Sequence, residues 1–197
     1  MRAVAAVILA AGASSRLGRP KQLLMVRGKT LIARAVDTAI EAGCDPVVVV
    51  LGRDAEACKT ALGDRPVVCV ENIDWATGMG SSLRVGVRTA RSVAAEAESV
   101  CVLLADQPNV TSQTLRRLIE TKARSDRPIA VASFAGTVGP PVIVSGPALE
   151  RLMNWPNEQG AKALWLAEPN DVLRVECPEA EADVDTEEDY ARLTDRE

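Results

Sequence analysis

The sequence predicts an α/β fold: a mostly parallel, mixed sheet with helices on both faces. Three observations predict it. Short apolar runs alternate with amphipathic stretches through the first 132 residues. The runs are apolar throughout, as strands covered on both faces must be. Gly, Pro, Asp, Ser or Thr marks nearly every boundary between them.

Ala3–Leu9 reads as the first strand. A secretory leader would also be apolar, but this stretch spans only about nine residues and runs straight into a Gly/Ser/Arg loop. Thr30–Ala42 is an amphipathic helix, with Leu31, Ala35, Val36, Ala39 and Ile40 on one face and Gly43 behind its end. Pro46–Leu51 is the second strand, and Asp54–Leu62 a helix with Asp54 as its expected N-cap. Pro66–Val70 is the third strand. Ser81–Ala95 is the helix that follows, capped by Ser81 or Ser82. Ser99–Leu104 is the fourth strand, Thr111–Arg124 a helix capped by Thr111, and Pro128–Ala132 the fifth strand. Beyond residue 133 the pattern loosens. Pro141–Val144 reads as an added strand, and Ala148–Met153 and Gln159–Leu166 as helices. Val172–Val175 and Asp183–Val184 read as short strands, and Thr186–Leu193 as a closing helix capped by Thr186. The 197 residues suit one domain, without internal repeat or linker.

Composition narrows the chemistry. The formal net charge of −4 and the lack of any Lys/Arg-rich run leave no footprint for nucleic acid. There is no histidine, which excludes a Cys/His zinc site, a Ser-His-Asp triad and an imidazole general base. The cysteines (Cys44, Cys58, Cys69, Cys101 and Cys177) are odd in number and without a Cys-x-x-Cys pair, and most read as small core residues. No stretch reaches the roughly 18 apolar residues of a membrane span, so a cytoplasmic protein is expected. Carboxylates, Lys, Arg, backbone amides or a hard metal must do the work.

In an open parallel sheet, ligands bind beyond the carboxyl ends of the strands. That rule selects four segments. In Ala10–Lys21, small residues lie between Gly12 and Gly18, with Arg16, Arg19 and Lys21 alongside. Backbone N–H groups can approach phosphate there while the cations neutralise it. The loop is neither a Walker A sequence nor Gly-x-Gly-x-x-Gly, and an ordinary glycine-rich turn is its alternative. In Glu71–Leu83, Gly78 and Gly80 form a turn before a helix N-terminus, which favours phosphate or ribose. A plain capped helix, with Trp75 in packing, explains the same residues. Leu103–Pro108 ends an apolar strand on Asp106, a costly place for a carboxylate without a partner. Facing the phosphate loop, Asp106 would suit Mg²⁺; a turn aspartate before Pro108 is the alternative. In Ala182–Tyr190, Asp183 and Asp185 flank Val184 on the expected strand, and only one of them is expected to face the cleft. Asp185 is the candidate second metal carboxylate. Thr186 and Asp189 form a capping box, and an acidic helix start accounts for the whole segment equally well.

Leu9-Ala-Ala-Gly-x-Ser-x-Arg-x-Gly-x-Pro-Lys-x-Leu-Leu24, Leu104-Ala-Asp-Gln-Pro108 and Asp183-Val-Asp-Thr186 together resemble the MobA/MocA-like nucleotidyltransferases, within the wider GT-A-type superfamily. The resemblance spans nearly the whole chain and implies a three-layer, Rossmann-like nucleotidyltransferase fold. It places the nucleotide half at about residues 1–108 and the acceptor half at about 109–197. Leu-Ala-Ala-Gly and Leu-Ala-Asp-Gln-Pro are more similar to the cytidylyltransferase branch than to the guanylyltransferase branch, with its Leu-Ala-Gly-Gly. The implied reaction is attack by the terminal phosphate of molybdopterin on the α-phosphorus of CTP, with Mg²⁺ required and pyrophosphate released, in molybdenum cofactor biosynthesis. By the same resemblance Leu9, Ala10, Ala11 and Gly12 would contact the nucleotide, and Arg16 and Lys21 the triphosphate. Asn72, Gly78 and Ser82 would lie by the base and ribose. Asp106 and Asp185 would hold the metal, with Arg16, Lys21 and Asp106 as the catalytic groups. An ionised phosphate nucleophile needs no general base, which agrees with the missing histidine.

Two segments depart from the family. Its Gly-His-Pro stands here as Gly139-Pro140-Pro141, and its Gly-Asp-x-Gly-Ala-Arg as Asn157-Glu-Gln-Gly-Ala-Lys162. Both fall where the acceptor should dock. The alternatives are therefore a GTP-using enzyme, a different phosphorylated acceptor, or a non-catalytic nucleotide- or cofactor-binding accessory protein of a molybdoenzyme. An NAD-linked oxidoreductase would need the missing glycine fingerprint.

Overall fold

The computed structural model describes residues 3–156, 158 and 162–194. In chain order its strands are β1 (Val4–Ala10), β2 (Met25–Val26), β3 (Lys29–Thr30), β4 (Val47–Leu51), β5 (Val68–Glu71), β6 (Ser99–Leu104), β7 (Ile129–Phe134), β8 (Thr137–Ser145) and β9 (Val172–Glu176). Its α-helices are α1 (Leu31–Glu41), α2 (Ala55–Leu62), α3 (Met79–Val93), α4 (Ser112–Ala123), α5 (Pro147–Met153), α6 (Lys162–Ala167) and α7 (Glu187–Thr194).

The main sheet has the order β5-β4-β1-β6-β8-β7-β9. β5, β4, β1 and β6 run parallel, as do β7 and β9, while β8 is antiparallel to both its neighbours. β1 lies near the middle and shows why its sequence is wholly apolar. Val4, Ala6, Ile8 and Ala10 enter one core, and Ala5 and Val7 the other, with the period of two that a strand imposes. α1, α2 and α4 cover the first face through Ile32, Val36, Cys58, Leu62, Leu115 and Leu118. α3 and α5 cover the second through Leu83, Val87, Leu149 and Leu152. A smaller core of Leu17, Leu24, Val26, Leu31 and Val184, flanked by Tyr190 and Leu193, fixes α7 against the loop after β1.

Thr111 and Thr186 accept the capping hydrogen bonds expected of them, Thr111 in a reciprocal box with Thr114 and Thr186 with Asp189, and Thr30 caps α1 by accepting from the Ala33 N–H. Other expectations need correction. Asp54 stands at the start of α2 but makes no capping hydrogen bond. α3 starts two residues early, behind Gly78, so Ser81 and Ser82 lie inside its first turn. Asp183–Val184 is not a strand, because the chain leaves the sheet edge after the turn Pro178–Ala180. The added strand β8 is longer than expected, since Ala135 (φ 45°) and Gly136 (φ 73°) close a tight hairpin with β7. Arg27 (φ 49°) and Gly28 (φ 74°) likewise close the unforeseen hairpin β2–β3. Residues 159–161 of the expected helix Gln159–Leu166 lie outside the described residues. All five cysteines are free, four of them buried. No described helix is long and apolar enough to cross a membrane.

α3 rests directly on β1 and β4 at Gly86. A Cβ there would collide with Val7 Cγ1 and lie 2.7 Å from Val50 Cγ2. Alanine is the better helix former by about 1 kcal/mol, but overpacking a rigid core costs about 1–3 kcal/mol. Thermal denaturation should therefore rank wild type above Gly86→Ala, and Gly86→Ala above Gly86→Val. An alanine variant more stable than wild type would contradict the close approach.

Candidate functional site

The parallel run of β5, β4, β1 and β6 brings four carboxyl ends to one edge of the sheet. The loop after β1 rests on the end of β4, where a Cβ on Gly52 would collide with the Ala11 carbonyl oxygen and lie 2.9 Å from Ala11 Cβ. From there the loop turns through Ser14 (φ 51°) and Gly18 (φ 72°) into a 3-10 turn, Lys21–Leu23. Gln22 in that turn is only 2% exposed. Its Nε2 donates to the carbonyls of Ala10 (3.0 Å) and Gly12 (2.8 Å), and its Oε1 accepts from the Ser14 hydroxyl (3.4 Å). The Lys21 N–H closes the clamp on Ser14 Oγ at 3.0 Å.

The turn delivers Lys21 between two carboxylates from distant parts of the chain. Its ammonium pairs with Asp106 Oδ2 and lies 2.8 Å from Asp185 Oδ1. Arg16 Nη2 takes the other Asp185 oxygen at 2.6 Å. The Lys21, Asp106 and Asp185 side chains are 19%, 12% and 25% exposed, so solvent screens them weakly, whereas Arg16 is 70% exposed. Desolvation pulls the Lys21 ammonium down, but the Asp106 charge and the hydrogen bonds to Asp106 and Asp185 outweigh it and hold Lys21 above its ordinary value. The Lys21 hydrogen bond holds the Asp185 carboxyl below the usual range. Asp183 belongs to the same field. Partial desolvation, then the charges of Asp185 and Asp106, push its carboxyl up. The expectation that only one of Asp183 and Asp185 would face the cleft fails, because residues two apart share a face of a strand and this segment is in any case not a strand.

The C-terminal segment is anchored to this place. Val184 N–H donates to the Asp106 carbonyl at 3.1 Å. Arg19 makes two hydrogen bonds to Glu187, at 2.8 and 2.7 Å, and lies over the Tyr190 ring. Its charge is spent on that anchor.

On the β5 side, Asn72 is 3% exposed and donates to the hydroxyls of Ser81 (2.8 Å) and Ser82 (2.9 Å). Those serines are buried because they tie the end of β5 to α3. Gly78 (φ 130°) forms the entry to α3, and Ile73 (87% exposed) and Met79 stand open beside it. On the β8 side, Gln107 donates to the carbonyls of Pro140 (3.0 Å) and Ala180 (2.9 Å), which brings Gly139–Pro141 next to the Asp106 segment. Gln22 and Gln107 were not singled out from the sequence. A polar residue beside Leu23-Leu24 or before Pro108 has no local signal for the carbonyls it serves.

The described residues suit a hard divalent cation. Asp106 Oδ1 is buried and has no hydrogen-bond partner, a costly state that an ion would relieve. All the neighbouring acidic donors are oxygens, as Mg²⁺ or Mn²⁺ prefers. Among the described residues no three His, Cys, Asp or Glu side chains gather closely enough to ligate a metal alone. Water or phosphate oxygens would have to complete the shell.

The Lys21–Asp185 pair has a defined pH window. The Asp185 contribution is full above the unfolded carboxylate value of about 3.9 and is lost as pH falls through the lower folded value. The Lys21 contribution is full below about 10.4 and is lost as pH rises through its higher folded value. Asp185→Asn should therefore destabilise the protein by about 1–3 kcal/mol at neutral pH. Thermal melts should show that gap closing as pH drops below about 4; a gap independent of pH would contradict the pairing.

Residues 6–172 match the family described as the MobA-like NTP transferase domain. Nicotine blue oxidoreductase of Paenarthrobacter nicotinovorans is 35% identical over 96% of this chain and 96% of its own length. Molybdenum cofactor cytidylyltransferase of Escherichia coli K12 is 26% identical over 100% of this chain and 98% of its own. Among solved structures, the manganese complex of Rv0371C from Mycobacterium tuberculosis H37Rv superimposes with a TM-score of 0.73 at 32% identity, covering 98% of each chain. The ion cluster beyond β1 and β6 is thus set in a familiar frame, and the chain belongs to the MobA-like NTP transferase family of nucleotidyltransferases.

Proposed function

We propose that this chain is a Mg²⁺-dependent nucleotidyltransferase of the cytoplasm that moves CMP from CTP to a phosphorylated acceptor of the molybdopterin kind, releasing pyrophosphate. The observation that carries this reading is the meeting of Lys21, Arg16, Asp106 and Asp185 beyond β1, with one Asp106 oxygen unmet. Leu9-Ala-Ala-Gly12, Leu104–Pro108 and the likeness to the E. coli cytidylyltransferase support CTP over GTP and a place in molybdenum cofactor assembly.

Lys21 and Arg16 are matched by Asp106 and Asp185. A triphosphate would draw Lys21 and Arg16 onto its oxygens, with Leu9, Ala10, Ala11 and Gly12 against the nucleotide. The same exchange releases Asp106 and Asp185 to hold Mg²⁺, which would neutralise and orient the phosphates. Lys21 and Arg16 then stabilise the charge that gathers on departing pyrophosphate. Asn72 would shape the base and ribose pocket with Gly78 and Ser82 and not by donating, because its amide is spent on Ser81 and Ser82. The acceptor would enter from residues 109–197, past Gly139–Pro141. The acceptor phosphate arrives ionised, so positioning suffices and no base is needed.

The 35% identity to an oxidoreductase favours a second reading, in which the cleft binds a nucleotide without transferring it. A binding screen of CTP and GTP with Mg²⁺, followed by a pyrophosphate-release assay with molybdopterin, separates the two. CTP preference with pyrophosphate release supports transfer. Nucleotide binding without release supports the second reading. In the release assay Asp106→Ala and Lys21→Ala should each lose at least about 10²–10³ in rate; wild-type rates in either would overturn the assigned roles.

A further inference from the structure

The geometry points to Gln22 as a positioning residue that turns the loop after β1 into a cradle of backbone N–H groups for phosphate. The inference rests on the triphosphate reading above and adds a residue outside the charged cluster. Gln22 is 2% exposed and makes no ion pair; its amide is devoted to the loop. Nε2 has two hydrogens, and each is taken by a carbonyl of the loop, Ala10 at 3.0 Å and Gly12 at 2.8 Å. In a trans peptide the C=O and N–H point in opposite directions. Holding the Ala10 and Gly12 carbonyls inward therefore turns the N–H groups of Ala11 and Ala13 outward, away from the clamp. Successive N–H groups presented on one side of a loop make an anion-binding concavity, and an exposed carbonyl among them would repel phosphate. The amide is suited to this task in a way a cation is not: it sequesters two carbonyls without competing for Asp106 and Asp185. Its orientation is fixed, because Oε1 accepts from Ser14 Oγ, which in turn accepts from the Lys21 N–H at 3.0 Å. One clamp thus sets the loop backbone and the start of the Lys21 side chain together.

The test is calorimetric titration of wild type and Gln22→Met with CTP, CDP and CMP in the presence of Mg²⁺. Methionine keeps the length and the apolar body and removes both donors. The loss should grow with the number of phosphates, reaching about 10–100-fold for CTP and staying within about threefold for CMP. A merely structural role would lower the thermal midpoint and leave the ratio of CTP to CMP affinity unchanged. Should Gln22→Met not fold, Ser14→Ala removes the orienting hydroxyl and should show the same phosphate ordering with a smaller loss. Unchanged CTP affinity, or equal losses for CTP and CMP, would overturn the inference while leaving the triphosphate reading intact. A wild type that binds none of the three nucleotides would overturn both.

Discussion

The ammonium of Lys21 holds three distant stretches of chain in one place. It draws Asp106 at the end of β6 and Asp185 near the C-terminus onto the loop that follows β1. A cation only 19% exposed needs charged partners to offset its desolvation, and here it has two. The same contact pairs Asp106 with Lys21, and Asp185 with Lys21 and Arg16, by bonds that a ligand could replace. Stability without ligand and readiness for one therefore come from one arrangement.

The scaffold makes that contact possible. Four parallel strands end at one edge, so their loops meet regardless of their separation in sequence. The close approaches at Gly52 and Gly86 fix the loop and α3 against β4 and β1. Asn72, Gln22 and Gln107 then spend neutral amides on backbone carbonyls and serine hydroxyls. Neutral amides hold this part of the frame, while Lys21, Arg16, Asp106 and Asp185 form the ion cluster. The small core around Leu17, Val184 and Tyr190 keeps the acidic C-terminal segment in register with the loop.

The parts of this arrangement differ in how legible they were in the sequence. Val47–Leu51 and Ser99–Leu104 could be read as strands because burial on both faces leaves a continuous apolar run. Thr111 and Thr186 could be read as caps because a cap acts within three residues. Lys21 and Asp106 could be named as candidate site residues by type and by their place after strands, and Asp185 by its type, though nothing local showed that they would meet. Asp183–Val184 misled because two alternating residues look alike in a strand and in an extended loop. Ser81 and Ser82 misled because a hydroxyl near a helix start also suits a buried partner such as Asn72. Gln22 was hidden for the same reason: its partners are carbonyls, which every residue carries.

In the reading proposed above, Lys21 occupies the place that a divalent cation would take in the nucleotide complex. The most direct measurement is Mn²⁺ binding by electron paramagnetic resonance, without nucleotide, to wild type and to Lys21→Met. Removing the ammonium frees Asp106 and Asp185, so the variant should bind Mn²⁺ more tightly than wild type even as it loses the triphosphate. Mn²⁺ binding that is equal or weaker in Lys21→Met would contradict the account.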